Sequence, residues 1–218
     1  MLVRREGTGE LVPILTKDGT SVLFVHVPKT GGTSIENLFR RSGWGIHLRE
    51  TRKARPALFP LRRCSPQHYH AAVLREMLAI ERIDLVFMLT RNPLERFRSE
   101  FSMRNPAGAG GDPEVVRAWA EGALADYRHD PYTLDNHLRP QHEFWLEGAE
   151  LFRLEDGLDA VAHHLRTRRG LELPGEMPHV MDSARRGVSS TEVPLDPALR
   201  EQITDLYAED FRRFGYAP

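Results

Sequence analysis

SVLFVHVPKTGGTS, residues 21–34, predicts three consecutive elements of secondary structure. Val22–Val27 has apolar residues on both alternating faces apart from His26, which is typical of a parallel strand buried on both sides. We interpret His26 as a hydrogen-bonded core residue. The next apolar residues recur at helical spacing, at Ile35, Leu38 and Phe39. Thr33 or Ser34 can cap the first turn, so the stretch predicts a strand, a loop and a helix.

Gly31 and Gly32 stand where the predicted strand gives way to the helix. Because they lack Cβ atoms, the backbone amides can converge there on an anion, and the helix points its positive end at the same place. A phosphate or sulfate group is the expected ligand. The Walker pattern is excluded, because its lysine follows the last glycine whereas Lys29 precedes Gly31.

A second predicted strand, Asp84 to Thr90, ends in Arg91-Asn92-Pro93. Asn92 can cap the following helix and Pro93 fits its first position. The inward stripe of that helix is Leu94, Phe97 and Phe101. Ser99 falls off this stripe, and Arg91 stands at the carboxyl end of a parallel strand, where open α/β sheets bind ligands. Arg91 and Ser99 are therefore candidates for a second anion contact.

Two motifs carry a family resemblance. Pro-Lys-Thr-Gly-Gly-Thr-Ser after a hydrophobic strand resembles the 5′-phosphosulfate-binding loop of sulfotransferases that use 3′-phosphoadenosine 5′-phosphosulfate (PAPS). In particular, it resembles the branch that includes heparan sulfate 2-O-sulfotransferase and the chondroitin and dermatan enzymes. Arg91 and Ser99 resemble the arginine and serine of the family's 3′-phosphate site. The resemblance runs roughly from Val22 to Tyr216.

The resemblance implies which residues bind PAPS. Those of the loop are Pro28, Lys29, Thr30, Gly31, Gly32, Thr33 and Ser34. Arg91 and Ser99 would hold the 3′-phosphate, and Arg185 with Arg186 resembles a basic loop that closes over the same phosphate in related enzymes. The implied fold is a P-loop-like three-layer α/β sandwich with a central, mostly parallel sheet, forming one domain over residues 1–218.

Sulfuryl transfer needs a base for the acceptor proton and positive charge where the departing phosphate oxygen becomes negative. Lys29 and the loop amides can supply that charge. For the base we rank His70 first and His68 second, because their His-x-His arrangement resembles the placement of the catalytic histidines in the 2-O-sulfotransferase branch. The alternative is that one or both of these histidines cap or pack against the next helix. No metal is expected, because a sulfuryl group carries less charge than a phosphoryl group and no carboxylate cluster suits magnesium. The pair His163-His164 lacks a third metal ligand at convincing spacing, so we expect it on the surface of a helix.

Length and composition bound the remaining expectations. With 218 residues, 40% of them hydrophobic and 28% charged, the chain suits one α/β domain. Its 30 basic and 31 acidic residues give a net charge of −1, which favours neither nucleic acid nor membrane as a partner. Cys64, the single cysteine, cannot form an intramolecular disulfide. Because no apolar N-terminal stretch suits a signal or anchor, a cytoplasmic location is expected, unlike the membrane-anchored Golgi enzymes of the family.

Several segments outside the motifs have simpler expectations. Met1–Thr20, with a turn at Lys17-Asp18-Gly19, should wrap the outside of the fold. Arg49–Arg63 should be a basic loop that is either merely solvated or in contact with an anion. Asn105–Asp112 and Leu171–Pro197 are candidate lids. The remaining predicted elements are helices over Pro113–Tyr127, Gln141–Gly148, Asp159–Arg169 and Pro197–Phe214, and a strand over Glu150–Leu154.

The sequence thus predicts an enzyme that moves a sulfuryl group from PAPS to an acceptor hydroxyl and leaves 3′-phosphoadenosine 5′-phosphate (PAP). A carbohydrate or another anionic molecule is the candidate acceptor, and the oligomeric state stays open. One alternative is a P-loop kinase for a small molecule, which would need ATP and magnesium. The other is a PAP-binding module that has lost transfer activity.

Overall fold

The computed structural model describes residues 14–47, 61–105, 111–175 and 190–218. The strands are β1 (Ile14–Lys17), β2 (Thr20–Val25), β3 (Gly45–His47), β4 (Leu85–Thr90) and β5 (Glu150–Arg153). The α-helices are α1 (Gly32–Arg41), α2 (Ala71–Met77), α3 (Pro93–Arg104), α4 (Pro113–His129), α5 (Leu158–Thr167), α6 (Pro197–Leu206) and α7 (Ala208–Phe214). Short 3₁₀ turns cover Pro66–His68, Ile80–Arg82, Gln141–Phe144, Leu154–Asp156 and Ser190–Glu192.

The strands form one five-stranded sheet in the order β3-β1-β2-β4-β5. β4 lies between β2 and β5 and is parallel to both, with Phe24 opposite Phe87 and Leu89 opposite Phe152. β1 is antiparallel to β2 and to β3. The prediction of an α/β fold with parallel central strands is therefore confirmed, and both predicted motifs follow neighbouring parallel strands.

The N-terminal edge of the sheet differs from the prediction. The expected turn forms at Asp18 and Gly19, whose φ angles of 48° and 85° suit a two-residue hairpin of the type favoured by an Asp-Gly pair. Ile14–Lys17, however, is a strand of the sheet, and Leu15 is fully buried. Placing this segment outside the fold was wrong, because a four-residue strand alternates too briefly to give a periodic signal.

Apolar side chains cover both faces of the sheet. One face, with Phe24 and Phe87, packs against Leu38 of α1 and Leu165 of α5. The opposite face packs against α2 and the 3₁₀ turn that precedes β5; its contributors are Leu23, Val25, Met88, Ala71, Leu74 and Phe144. Burial on both faces explains why the central strands read as continuous apolar runs.

A separate apolar cluster joins α3, α4, α6 and α7; its central members include Phe97, Phe101, Val116, Ile203, Tyr207 and Phe211. The predicted final helix is divided, because α6 ends at Leu206 and α7 begins at Ala208. The predicted helix over Gln141–Gly148 is only the 3₁₀ turn Gln141–Phe144. Asn92 caps α3 as predicted, accepting hydrogen bonds from the Leu94 and Glu95 amides.

Some predicted segments lie wholly or partly outside the described residues. These are Arg49–Pro60 of the basic loop, residues 106–110 of one candidate lid, and residues 176–189 of the other, which include Arg185 and Arg186. Among the helices of the described ranges, none is long and apolar enough to cross a membrane.

Candidate active site

The loop between β2 and α1, residues 28–34, is termed the phosphate loop. Helix α1 begins at Gly32, and its N-cap is Gly31 with a φ of 89°. The N-cap is therefore neither Thr33 nor Ser34, as predicted, but a residue without a side chain. Lys29 also has a positive φ, 70°, and the Thr30 hydroxyl donates to the Val27 carbonyl over 2.8 Å. A glycine N-cap leaves the start of α1 open to an approaching anion.

The His26 side chain explains why position 32 of the phosphate loop needs glycine. A Cβ atom on Gly32 would lie only 2.1 Å from His26 Nε2, so any larger residue would displace the imidazole. The other ring nitrogen, Nδ1, is 2.9 Å from Oε1 of Glu36 on α1, and both side chains are buried. The interpretation of His26 as a hydrogen-bonded core residue is confirmed.

Arg91 lies directly against the phosphate loop. Its Nη1 donates to the Lys29 carbonyl over 3.4 Å, and burial lowers the pKa of the guanidinium. Its backbone is fixed by Gln141, whose Oε1 accepts from the Arg91 amide over 2.9 Å and whose Nε2 donates to the Arg91 carbonyl over 2.8 Å. Ser99 is half-buried on the middle of α3. Arg91 is therefore a preoriented cation beside the loop.

Asp210 and Glu155 are acidic residues that accept hydrogen bonds from the backbone near Arg91. Asp210 accepts hydrogen bonds from the amides of Gln141 and His142, at 2.7 and 2.8 Å. Glu155 accepts from the Asn92 amide over 2.7 Å and from the Tyr216 hydroxyl over 3.0 Å. These carboxylates hold the backbone that presents Arg91.

Arg96 is a buried residue whose role the sequence did not predict. Its Nε donates to the carbonyl of Pro28 in the phosphate loop over 3.1 Å. Its Nη2 donates to the carbonyls of His137, at 2.5 Å, and Arg139, at 2.8 Å. Only 1% of Arg96 is exposed. One guanidinium therefore connects the phosphate loop with the segment that follows α4.

That segment carries the partner of His68. Nδ1 of His68 is 3.1 Å from Oδ2 of Asp135, and both residues are buried. The Ser65 amide and hydroxyl donate to the two oxygens of the same carboxylate, at 2.5 and 2.8 Å. These hydrogen bonds hold the pKa of Asp135 far below its usual range against the opposing effect of burial. Asp135 is thus an ionised carboxylate that orients His68.

Asp135 reaches His68 through an unusual backbone turn. Leu134, Asp135 and Asn136 have successive φ angles of 52°, 64° and 68°, a left-handed conformation that costs roughly 1–2 kcal/mol per residue other than glycine. The side-chain amide of Asn136 donates to the His68 carbonyl over 2.8 Å, and Arg104 donates to the Leu134 carbonyl over 2.9 Å. Since no glycine marks this turn, no local sequence pattern indicates that Asp135 faces the histidine.

His68 also lies beside the phosphate loop. Its ring meets that of His26 edge to face, with centroids 5.3 Å apart, and His26 in turn covers Gly32. On its other side the His68 ring lies 4.7 Å from that of His137. Nδ1 of His137 is 2.6 Å from Oε2 of Glu100, a buried carboxylate on α3. His68 therefore stands between the phosphate loop and a second histidine–carboxylate pair.

His70 has different surroundings. It is the N-cap residue of α2 but makes no side-chain cap, and its ring packs edge-on to Tyr132 and Phe144, at 5.8 and 6.5 Å. Its buried Nδ1 has no hydrogen-bond partner in the described part of the chain. Burial, followed by the nearby Arg139 charge, lowers the pKa of His70.

One group of side chains in the described ranges has the spacing of a metal site. His68, Asp135 and His137 each offer one ligand atom, and these atoms lie within 4.8 Å of one another. The sequence could not predict this group, because α2, β4, α3 and α4 all lie between His68 and Asp135 in the chain. The predicted surface position of His163 is confirmed, and His164 is paired with Glu150 over 3.0 Å.

The site combines three features: backbone amides at the start of α1, the cations Lys29 and Arg91 of the adjoining segments, and an imidazole whose Nδ1 is held by a carboxylate. Such a set can bind an anionic donor and accept a proton from a second molecule.

A model of the sulfotransferase family matches residues 12–217. No curated protein and no solved structure matches the chain. The match covers nearly all of the chain, which therefore belongs to the sulfotransferase family.

Proposed function

We propose that the chain transfers a sulfuryl group from PAPS to the hydroxyl of an acceptor and releases PAP. The observation that carries this proposal is the contact between Arg91 and the phosphate loop, on the side of the sheet where the two parallel strands β2 and β4 end. The phosphate loop would bind the 5′-phosphosulfate, and Arg91 with Ser99 would bind the 3′-phosphate. The P-loop-like three-layer arrangement belongs to the same proposal and is supported by helices packed on both faces of the sheet.

Lys29 supplies positive charge where the departing phosphate oxygen becomes negative. Its left-handed backbone, with a φ of 70°, is a strained position of the kind that clusters at functional sites. The neighbouring amides at the start of α1 add fixed dipoles aimed at the same charge. Both act more strongly on the transition state than on the bound donor, because the charge grows during transfer.

His68, rather than His70, is the base that the geometry favours. The ionised Asp135 accepts a hydrogen bond from the Nδ1–H group of His68, so the lone pair of the imidazole is on Nε2. A histidine held in this way can accept the acceptor's hydroxyl proton and is stabilised as it becomes positive. His70 lacks such a carboxylate contact at its buried Nδ1. It is better suited to shape the acceptor site than to act as the base.

The acceptor site lies around Tyr132 in this proposal. The guanidinium carbons of Arg63 and Arg139 lie 5.3 and 5.0 Å from the centre of its ring, and His70 contacts the same ring. A half-buried aromatic ring flanked by two cations suits a carbohydrate or another acceptor that carries negative charge. This arrangement supports the interpretation of the basic loop as an anion contact.

The two alternative functions lack comparable support. A small-molecule kinase would need the lysine on the other side of the glycines, where it could reach the β- and γ-phosphates of ATP. A module that only binds PAP would have no use for the buried His68–Asp135 pair, because the left-handed turn that carries Asp135 costs backbone strain.

Membership of the 2-O-sulfotransferase branch remains part of the proposal and rests on the two motifs and the His-x-His arrangement.

The direct test is transfer of labelled sulfate from PAPS to a panel of sugars, phenols, amines and lipids. Calorimetry with PAP and with ATP plus magnesium forms the second arm, because donor binding does not depend on finding the acceptor. We expect PAP to bind and to stabilise the fold by mass action, with much weaker binding of ATP. Preference for ATP over PAP would reassign the chain to the kinases. PAP binding without transfer to any acceptor class would favour the binding module.

A further inference from the structure

The hydrogen bond between His68 and Asp135 joins two atoms that are also spaced as ligands of one metal ion. Nδ1 of His68 and Oδ2 of Asp135 are 3.1 Å apart. Neighbouring ligands of tetrahedral zinc are about 3.3 Å apart when each bond is about 2.0 Å long. His137 offers a third ligand atom, and one such atom from each of the three residues lies within 4.8 Å of the other two. A contraction towards the tetrahedral spacing would bring them around one ion.

The surroundings of these three residues resemble the outer shell of a metal site. Glu100 accepts from Nδ1 of His137 over 2.6 Å, which leaves the lone pair of that ring on Nε2. Ser65 donates two hydrogen bonds to Asp135 and fixes its orientation. Metal-binding histidines and carboxylates are typically held by such partners. Asp135 and Glu100 are buried carboxylates beside the site, and Glu100 is also paired with Arg104 over 2.8 Å.

We propose that His68, Asp135 and His137 bind one divalent ion of the zinc class, and that the bound ion inhibits transfer. Two imidazoles and one carboxylate are ligands that zinc prefers, whereas magnesium prefers oxygen ligands throughout. Three protein ligands leave the fourth position of a tetrahedral ion for water. The site would therefore be regulatory and is not needed for the sulfuryl chemistry.

Inhibition follows from the position of one proton, and this step rests on the proposed role of His68. In the metal-free chain the proton of neutral His68 is on Nδ1, and Nε2 is the acceptor. An ion bonded to Nδ1 takes the place of that proton, which then resides on Nε2. No proton is gained or lost by the imidazole. Nε2 has become a donor, however, and can no longer accept the hydroxyl proton of the acceptor molecule.

Binding is tested without reference to activity. The metal-free chain would be titrated with Co²⁺, whose visible absorption reports tetrahedral nitrogen and oxygen ligands, and with Zn²⁺ by calorimetry. We expect one ion per chain in the wild type. His137→Gln should lose most of the affinity, and Glu100→Gln, which keeps the side-chain shape, should lose roughly 10- to 100-fold. His163→Gln is the matched control, because it removes a surface histidine of α5 and should leave the affinity unchanged.

Several outcomes would overturn the site. These are the absence of a Co²⁺ band in the wild type, or equal affinity in wild type, His137→Gln and Glu100→Gln. If His137→Gln does not fold, the comparison of Glu100→Gln with His163→Gln still decides whether the site exists.

A second experiment adds Zn²⁺ to the sulfate transfer assay. Zn²⁺ should inhibit the wild type, and a chelator should restore its activity. Inhibition of Glu100→Gln should need roughly 10- to 100-fold more Zn²⁺. Zn²⁺ that binds without inhibiting would overturn the switch. A bound ion on a chain inactive with every acceptor would contradict the proposed function and leave the metal site standing.

Discussion

Arg96 donates from Nε to the carbonyl oxygen of Pro28 over 3.1 Å, so a buried side chain of α3 holds the first residue of the phosphate loop. The same guanidinium donates to the carbonyl of Arg139, two residues from the His137 carbonyl that it also contacts. Arg96 thus connects the phosphate loop to the segment that carries Asp135 and limits the distance between them. A planar, forked donor is needed, because the carbonyls lie in different segments.

We predict that Arg96→Lys weakens PAP binding about tenfold, because lysine keeps the charge but cannot reach the same carbonyls with a fixed fork. Calorimetry with PAP measures the loss. Arg98→Lys is the control, since Arg98 is on the same helix and donates from Nε to the Val193 carbonyl over 2.9 Å, away from the loop. Equal PAP affinity in both variants would show that Arg96 does not position the loop.

Lys29 and Arg91 should separate kinetically. Lys29→Ala should mainly lower kcat, because Lys29 acts on charge that grows in the transition state. Arg91→Ala should mainly raise the KM for PAPS, by about 2–3 kcal/mol for a lost charged contact, because the 3′-phosphate does not react. Steady-state kinetics over a range of PAPS concentrations measures both effects. A change in KM alone for both variants would remove the catalytic role of Lys29.

The base is identified by comparing two histidine variants. The sequence ranks His70 above His68, and the hydrogen bond from His68 to Asp135 reverses that order. We expect His68→Ala to lose most transfer activity with PAP affinity nearly intact, and Asp135→Asn to lower kcat by roughly 10²- to 10⁴-fold. His70→Ala should act mainly on the acceptor KM. Full loss of transfer in His70→Ala, with His68→Ala active, would restore the original ranking.

The acceptor surface should respond to salt. Tyr132→Ala and Arg63→Ala should raise the KM for an anionic acceptor and leave the PAPS KM unchanged. Because Arg63 is exposed, its effect should weaken as salt shortens the Debye length below about 8 Å. Arg82→Ala, which removes another exposed arginine between α2 and β4, is the control. An acceptor KM that neither salt nor Tyr132→Ala alters would point to a neutral acceptor bound elsewhere.

Cys64 offers a pH test of the fold. Burial raises the pKa of its thiol from 9.0 to about 12. The unfolded thiol therefore releases its proton at lower pH than the folded one, and the free energy of unfolding should fall as pH rises through 9 towards 12. Cys64→Ala should remove about 1 kcal/mol of this loss between pH 8 and 10, measured by urea unfolding. Identical alkaline slopes in both chains, or rapid alkylation of folded Cys64 at pH 8, would contradict its burial.

Much of the fold, and within the site the phosphate loop and Arg91, follow from local sequence. The runs before the phosphate loop and before Arg91 are apolar on both faces, which only a strand covered on both sides tolerates. Asn92 and Pro93 define the start of α3 by hydrogen bonding and by a fixed φ. The order of lysine and glycines in the loop excludes the Walker pattern. These features act within a few residues, so the sequence alone determines them, and the single-domain organisation and cytoplasmic location stay predictions.

Other features depend on contacts between segments far apart in the chain. β1 and β3 are too short for a periodic signal. β1 forms by pairing with β2, and β3 forms by pairing with β1. Asp135 meets His68 across 67 residues through a left-handed turn without glycine, and Arg96 reaches the Pro28 carbonyl across 68. Local propensity opposes such a turn and says nothing of which carbonyls a buried arginine will meet. Only tertiary packing, which compensates the strain with buried hydrogen bonds, places Asp135 beside His68, and our proposal of His68 as the base rests on that contact.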